Sequence, residues 1–430
     1  MQNYHATRNI IENSTYKEND VLVIFGELFS RGYANGLVEE AEKRRMKVIY
    51  ATVGRREKDG TLRGLNAEEL KNPADTINIP MEAGFDLEPT ASGLTIVDML
   101  KEVKLSDWQN FKMYESEYET AKTSARRRFE KNAEVFVAEL KKRIPKGANV
   151  LFAHIMAGGV PRAKIILPLM NRVFKGTGDR YLESKNFWES DIGKMVSDNF
   201  NEVTAETFRI LIEKTNPIRE QAKIDGSYVS YLAFGYHGTE VLINDQFTWQ
   251  TYTPYLQGWA KIKLENYSKD AFAKGIHSCV YNCPEILTNS SSIFLGVELS
   301  LYSLLTAIGR LNLDKYKKLY FECSELLSET LTVDRMLNII HTYMNHEKIK
   351  PYFNLNHWPQ HNTKEQMEVM LNASDEILSA HKDHKKLVTS VLSEVVFKGC
   401  GMVMINANAK IESPVTWINH DILAKIYSGL

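Results

Sequence analysis

Three tyrosines and one lysine, close together in the chain, have side chains suited to the same chemistry. They are Tyr236, Tyr252, Tyr255 and Lys261. A phenol can hydrogen-bond an oxygen that gains negative charge without itself carrying charge into an apolar pocket. An ammonium group can bind hydroxyl groups and stabilise the same developing charge. These residue types are compatible with a site that stabilises an oxyanion, but tyrosines are also common in protein cores and lysines on helices.

Two tyrosines compete for the position nearest Lys261. Eight residues separate Tyr252 from Lys261, and five separate Tyr255 from it. A helix is predicted to begin at Thr253-Pro254, because threonine favours the N-cap and proline the first turn. Tyr255 would then lie inside the helix, about 120° around its axis from Lys261. Tyr252 precedes the helix and escapes this mismatch, which favours it, and Tyr255 stays open.

A glycine-bearing turn near the amino end predicts a nucleotide site. The apolar run 20–25 ends at Gly26, and Gly32 and Gly36 lead into a helical pattern. Glycines at such a turn let backbone amides approach a pyrophosphate at a helix N-terminus. The spacing is not GxGxxG, so an ordinary loop is the alternative.

The next predicted strand, 47–53, is followed by Gly54 and two arginines, Arg55 and Arg56, and no acidic residue closes it. Guanidinium groups here suit a 2′-phosphate, which favours NADPH over NADH. Two solvated arginines in a loop are the alternative.

Taken in order, these features resemble the long enoyl-acyl-carrier-protein reductases of the short-chain dehydrogenase/reductase superfamily. Their pattern Thr-Trp-x-x-Tyr-x8-Lys is similar to Thr248, Trp249, Tyr252 and Lys261. Tyr236, in Phe-Gly-Tyr-His-Gly, looks like their first active-site tyrosine. The run 258–261 also resembles the Gly-Leu-Ala-Lys of the shorter reductases, whose tyrosine would be Tyr255.

The resemblance extends to three turns that touch the cofactor in that family. The glycine turn keeps the spacing of Gly-x5-Ser-x3-Gly, the run 156–159 is similar to the turn after the fourth strand, and the run 283–291 occupies the place of a proline-led loop. The resemblance implies that NADH or NADPH is bound by Gly26, Ser30, Gly32, Gly36, Arg55, Arg56, Ala157, Gly158, Lys261, Pro284 and Thr288.

The activity that the resemblance implies is reduction of the 2,3 double bond of an enoyl thioester in fatty-acid synthesis. Tyr252 or Tyr255 would stabilise the enolate, and Tyr236 would be a second donor or proton source. Lys261 would bind the ribose, with Lys263 as the alternative if the register is shifted. The substrate would be carried by coenzyme A or acyl carrier protein. Two alternatives stay open: a short-chain carbonyl reductase, and a nucleotide-binding protein without catalysis.

The predicted fold is α/β, a Rossmann-like doubly wound parallel sheet with helical insertions and a largely helical C-terminal extension. Short apolar runs bounded by turn residues predict buried strands. We expect one domain over residues 1–430, with a core at 20–295, an insertion at 160–195, a helical extension at 296–398 and a final strand at 401–406.

Composition limits the class of protein further. The chain has 430 residues, 43% of them apolar, and a formal net charge of −1. This charge favours neither nucleic acid nor an anionic membrane as partner. An apolar leader and a run of eighteen apolar residues are both lacking, so we expect a cytoplasmic protein without membrane insertion.

The four cysteines are expected to be reduced core thiols, and no metal is required. The oligomeric state is left open.

Overall fold

A computed structural model describes residues 4–11, 15–250, 256–288, 296, 299–329, 331–356 and 361–430. Seven of its strands form one parallel sheet in the order β11-β10-β7-β6-β1-β2-β5. Two antiparallel hairpins, β3-β4 and β8-β9, lie outside it. The strands are β1 Val21–Phe25, β2 Lys47–Thr52, β3 Arg55–Arg56, β4 Leu62–Arg63, β5 Thr76–Pro80, β6 Val150–His154, β7 Val229–Phe234, β8 Thr239–Ile243, β9 Gln246–Gln250, β10 His277–Asn282 and β11 Val415–Trp417.

Helices connect the strands and cover the sheet. They are α1 Tyr33–Lys43, α2 Ile96–Met99, α3 Glu115–Lys141, α4 Ile166–Lys175, α5 Ser184–Trp188, α6 Asp191–Asn201, α7 Thr207–Lys214, α8 Asn216–Asp225, α9 Leu256–Ala273, α10 Leu304–Leu311, α11 Leu313–Ser324, α12 Val333–Asn345, α13 Lys364–Ser379, α14 Val388–Asn408 and α15 His420–Ser428. A π-helical turn, Glu202–Glu206, joins α6 to α7.

Both faces of the sheet are buried, which confirms the doubly wound α/β prediction. Leu22 and Ile24 of β1 belong to the core shared with α1 and α10 to α15. Val21 and Val23 belong to the core shared with α3, α7, α8 and α9. Since successive side chains of a strand point to opposite faces, the central strands have to be apolar throughout. That is the pattern by which the sequence predicted them.

The predicted final strand at 401–406 is wrong. These residues lie inside α14, a helix that is buried over most of its surface. A short apolar run does not distinguish a buried strand from a buried helix, because neither has a polar face. The sheet instead ends with β11, which pairs in parallel with β10. In the described part of the chain, α14 is the one helix long and apolar enough to cross a membrane, and 61% of its apolar window is buried inside the protein.

The predicted insertion and extension are both helical. Helices α4 and α5 form a separate apolar cluster with Trp108, Phe187 and their neighbours. The helices that follow residue 299 pack instead into the core beneath the sheet. All four cysteines are buried free thiols, as predicted.

Candidate active site

Four neighbouring strands end at one edge of the sheet, and the segments that follow them form the candidate site. The register pairs Phe25 of β1 with His154 of β6, and His154 with Ala233 of β7. Strand β10 continues the row, pairing its Tyr281 with Phe234. Ligands of open parallel sheets bind outside the carboxyl ends of the strands. The glycine turn, the turn after β6, Tyr236 and the loop after β10 therefore meet at one edge.

The glycine turn after β1 packs against the turn after β6 and leads into α1. Gly26 has φ +130°, and a Cβ there would lie 2.8 Å from Ile155 Cγ1 and 3.1 Å from Met156 N. Glycine is required because a side chain would strain the backbone and meet the turn after β6. Gly32 is the N-cap of α1, with no side-chain cap hydrogen bond. The first amides of α1 can thus bind an anion. Ser30, in the same turn, is exposed.

Gly36 lies one turn inside α1, where packing explains it without any cofactor contact. A Cβ there would lie 1.8 Å from the carbonyl oxygen of Phe397 in α14. The facing residue, Gly401, is equally tight, since its Cβ would lie 2.2 Å from the carbonyl carbon of Gly36. Gly36 thus permits two helices to cross at backbone contact.

The turn after β6 presents Gly158 to open space. Gly158 has φ +118°, and a Cβ there would meet nothing within 4 Å. Two buried side chains hold the turn: Thr204 Oγ1 donates to Gly158 O at 3.0 Å, and Asn199 Nδ2 donates to Gly159 O at 2.7 Å. Thr204 lies in the π-helical turn, a feature frequent at functional sites. Ala157, beside Gly158, is exposed.

Lys261 projects from α9 into the protein and is only 6% exposed. Its ammonium group makes no hydrogen bond or ion pair with any residue in the described ranges. Burial lowers the pKa of Lys261 to about 7, because the charged form loses its hydration. Burial lowers the pKa of His154, which is fully buried, and the charge of Lys261 lowers it further. A buried ammonium group with no partner in the described part of the chain is suited to a ligand that offers hydrogen-bond acceptors.

Tyr236 lies two residues beyond β7 and is held by the loop after β10. Its hydroxyl donates to Glu285 Oε1 at 2.8 Å and to Oε2 at 3.0 Å. The next residue is fixed as well: His237 N donates to Asn282 Oδ1 at 2.8 Å, and Asn282 Nδ2 donates to Glu265 Oε1 at 2.9 Å. The phenol is therefore positioned by hydrogen bonds that join neighbouring strands.

Comparison with known proteins decides the family. A family model described as enoyl-acyl carrier protein reductase FabMG matches residues 3–427. The chain belongs to the FabMG family of enoyl-acyl carrier protein reductases. The resemblance seen in the residues, and the oxidoreductase activity that it implied, are confirmed.

Two solved structures of the FabMG family are similar over nearly the whole chain. One, described as apo FabMG, is 42% identical, with a TM-score of 0.93, and the match covers 99% of this chain and 97% of that one. The other, described as NADH-bound FabMG, is 38% identical, with a TM-score of 0.79, covering 99% and 98%. Among curated proteins, none matches.

The loop after β10 is tied to the glycine turn in this FabMG-family protein. Tyr33, the first residue of α1, donates its hydroxyl to Pro284 O at 2.6 Å. Its ring stacks on Phe234, the last residue of β7, with the ring centroids 5.4 Å apart. Pro284 is buried and Thr288 is half-buried. Both predicted loop residues therefore lie near the site edge, across from α1.

The two arginines predicted to bind a 2′-phosphate are both paired with carboxylates. Arg55 binds Glu27, and Arg56 binds Glu82 and Glu88. An arginine held by a carboxylate is not free to bind a phosphate. The structure therefore does not support the preference for NADPH that we derived from these residues.

Tyr252 and Tyr255 lie outside the described residues, and the choice between them stays a prediction.

Three residues that position the groups of the site were not predicted from the sequence: Glu285, Asn282 and Asn199. An acidic residue directly after the buried strand and Pro284 was the available signal for Glu285. Among the described residues, no group of three or more His, Cys, Asp or Glu side chains could hold a metal ion.

Proposed function

We propose that this protein uses NADH to reduce the 2,3 double bond of an enoyl thioester carried by acyl carrier protein. The observation that carries the proposal is the buried ammonium of Lys261, which has no partner among the described residues and lies close enough to His154, at the end of β6, to lower its pKa. The FabMG relative that is described as NADH-bound, at 38% identity, supports NADH as the cofactor. A cytoplasmic location stays a prediction.

The residues present fit a dinucleotide. The first amides of α1, which have no side-chain cap, suit the pyrophosphate. Gly158, in the turn after the neighbouring strand β6, faces open space. Lys261 suits the ribose hydroxyls, which can accept hydrogen bonds from its ammonium group. When bound, NADH supplies the hydride.

The protein's own side chains stabilise the charge that the reaction creates. Hydride addition to the β carbon moves negative charge onto the thioester oxygen, and a neutral phenol can donate a hydrogen bond to that oxygen. Tyr252 or Tyr255 is proposed for this role, with Tyr236 as second donor or proton source. The Lys261 ammonium adds electrostatic stabilisation from within the apolar interior.

The test measures NADH oxidation with crotonyl-coenzyme A and with an enoyl-acyl carrier protein. We expect activity in the wild type, with the carrier-protein substrate preferred. Lys261→Ala should abolish activity, and one of Tyr252→Phe and Tyr255→Phe should lower kcat by about 10² or more while the other does not. Lys263→Ala, on the same helix, is the matched control.

Two results would contradict the proposal. One is NADH oxidation with a 3-oxoacyl thioester but not with an enoyl thioester, which would mark a carbonyl reductase. The other is nucleotide binding without turnover of either thioester, which would mark a binding protein without catalysis.

A further inference from the structure

We infer that Glu27 makes this protein select NADH over NADPH, by occupying Arg55 and by placing a carboxylate at the adenosine end of the nucleotide site. Glu27 directly follows Gly26 in the turn after β1. The inference rests on the proposed use of NADH and adds the residue that excludes the phosphorylated nucleotide.

The contact between the two side chains is a bidentate ion pair. Arg55 Nη2 donates to Glu27 Oε1 at 2.6 Å, and Arg55 Nη1 donates to Glu27 Oε2 at 2.8 Å. Arg55 Nη1 also donates to the carbonyl oxygen of Gly54 at 2.8 Å. Parallel N–H···O bonds of this kind fix the guanidinium plane as well as its charge. The pair is accessible to a ligand, since the side chains of Arg55 and Glu27 are 41% and 18% exposed.

The sheet places this pair where the adenosine ribose of a dinucleotide would be recognised. Strands β1 and β2 are parallel neighbours, with Ile24 paired to Tyr50, so the turns after them begin side by side. In dinucleotide-binding sheets an acidic residue near the end of the second strand binds the ribose 2′-hydroxyl. Here β2 is followed by Gly54 and Arg55 instead. Glu27 supplies the carboxylate from the adjacent turn.

The other two arginines of the β3-β4 hairpin are also held by carboxylates. Arg56 is bound by Glu82 and Glu88, and Arg63 by Glu57 and Glu69. To bind an arginine of this hairpin, a 2′-phosphate would therefore have to take Arg55 from Glu27 and then lie beside the Glu27 charge. A ribose diol faces no such conflict, because its hydroxyls can donate to the same carboxylate. This difference favours NADH.

The experiment separates recognition of the phosphate from hydride transfer. Calorimetry measures the dissociation constants of ADP-ribose and 2′-phospho-ADP-ribose, which carry no nicotinamide, for the wild-type protein and for E27Q, R55M and E27Q/R55M. We expect the wild type to bind ADP-ribose at least tenfold more tightly than 2′-phospho-ADP-ribose. E27Q should lower the ratio of the two dissociation constants at least tenfold, because Arg55 becomes free to bind the 2′-phosphate. The double variant E27Q/R55M should lose the affinity for 2′-phospho-ADP-ribose that E27Q gains. R55M alone should keep the wild-type preference for ADP-ribose.

Glu57→Gln is the matched control, because Glu57 also pairs with an arginine of the β3-β4 hairpin, and its binding ratio should equal that of the wild type. Three results would overturn the role of Glu27. They are a ratio of dissociation constants that is unchanged in E27Q, a ratio that is narrowed in R55M, and a wild type that binds both ligands equally. R55M keeps Glu27, so a narrowed ratio in R55M would still contradict the inference if E27Q does not fold. A wild type that binds ADP-ribose but reduces no enoyl thioester would instead overturn the proposed function alone.

Discussion

Tyr236 and Glu285 form a hydrogen-bonded pair across two neighbouring strands of the sheet. The Tyr236 hydroxyl donates to both carboxylate oxygens of Glu285, at 2.8 and 3.0 Å, and Glu285 is only 5% exposed. Since a buried carboxylate is costly without donors, the pair holds the phenol in one orientation. This relationship joins the residue after β7 to the loop after β10.

Replacing either member of this pair tests whether the phenol acts in the reaction. We expect Tyr236→Phe to lower kcat by about 10², the usual effect of losing a positioned proton donor, with little change in KM for NADH. Glu285→Gln keeps an acceptor for the hydroxyl and should stay within about threefold of wild type, whereas Glu285→Ala frees the phenol and should lose about tenfold. Steady-state kinetics with crotonyl-coenzyme A measures each effect. A Tyr236→Phe variant with wild-type kcat would remove Tyr236 from the mechanism.

Nucleotide binding should depend on pH through Lys261. Burial lowers the pKa of the free protein's Lys261 to about 7, whereas contact with ribose hydroxyls favours the charged form. NADH binding above pH 7 should therefore be accompanied by proton uptake, and NADH affinity should fall as pH rises. Calorimetry in buffers of different ionisation enthalpy measures this uptake.

Lys261→Met should abolish the proton uptake and weaken NADH binding about tenfold or more. Lys263→Met is the control, because Lys263 lies on the same helix but is 41% exposed and paired with Glu206 at 2.8 Å. Proton uptake that persists in Lys261→Met would assign the titration to another group.

The stability of the unliganded protein should also reflect Lys261. In the unfolded chain this lysine has its ordinary pKa of 10.5, and in the folded protein its pKa is about 7. Between these values the unfolded state binds more protons, so the free energy of unfolding rises with pH. Compared with Lys261→Met, the wild type should gain about 2 kcal/mol between pH 7 and pH 9. Denaturant unfolding at both pH values measures the difference, and parallel curves for the two proteins would contradict it.

The crossing of α1 and α14 should not tolerate a methyl group. Gly36→Ala would place a Cβ 1.8 Å from Phe397 O, and Gly401→Ala would place one 2.2 Å from the backbone of Gly36. Overpacking of this kind costs about 1–3 kcal/mol or more, because two backbones have to separate. We expect each variant to lower the melting temperature by several degrees. Lys43→Ala, on the exposed side of α1, should change it little, and an unaffected Gly36→Ala would show that the helices can move apart.

The central strands, the turn after β1 and the helix that carries Lys261 could all be predicted from the amino-acid sequence. Strands β1, β6 and β7 are buried on both faces, so their apolar runs carry the information locally. The glycine turn and Lys261 were also found from local spacing, because a turn and a helix are short-range structures.

The pairing of charges and the helical state of α14 became clear from the folded structure. Arg55 predicted a phosphate site because no local pattern shows that it pairs with Glu27, which lies 28 residues earlier. Similarly, 401–406 has the composition of a strand, but these residues belong to α14, whose Gly401 packs against Gly36, a neighbour only in three dimensions. Such outcomes depend on contacts between residues far apart in the chain, and local residue patterns carry no record of which distant groups will meet.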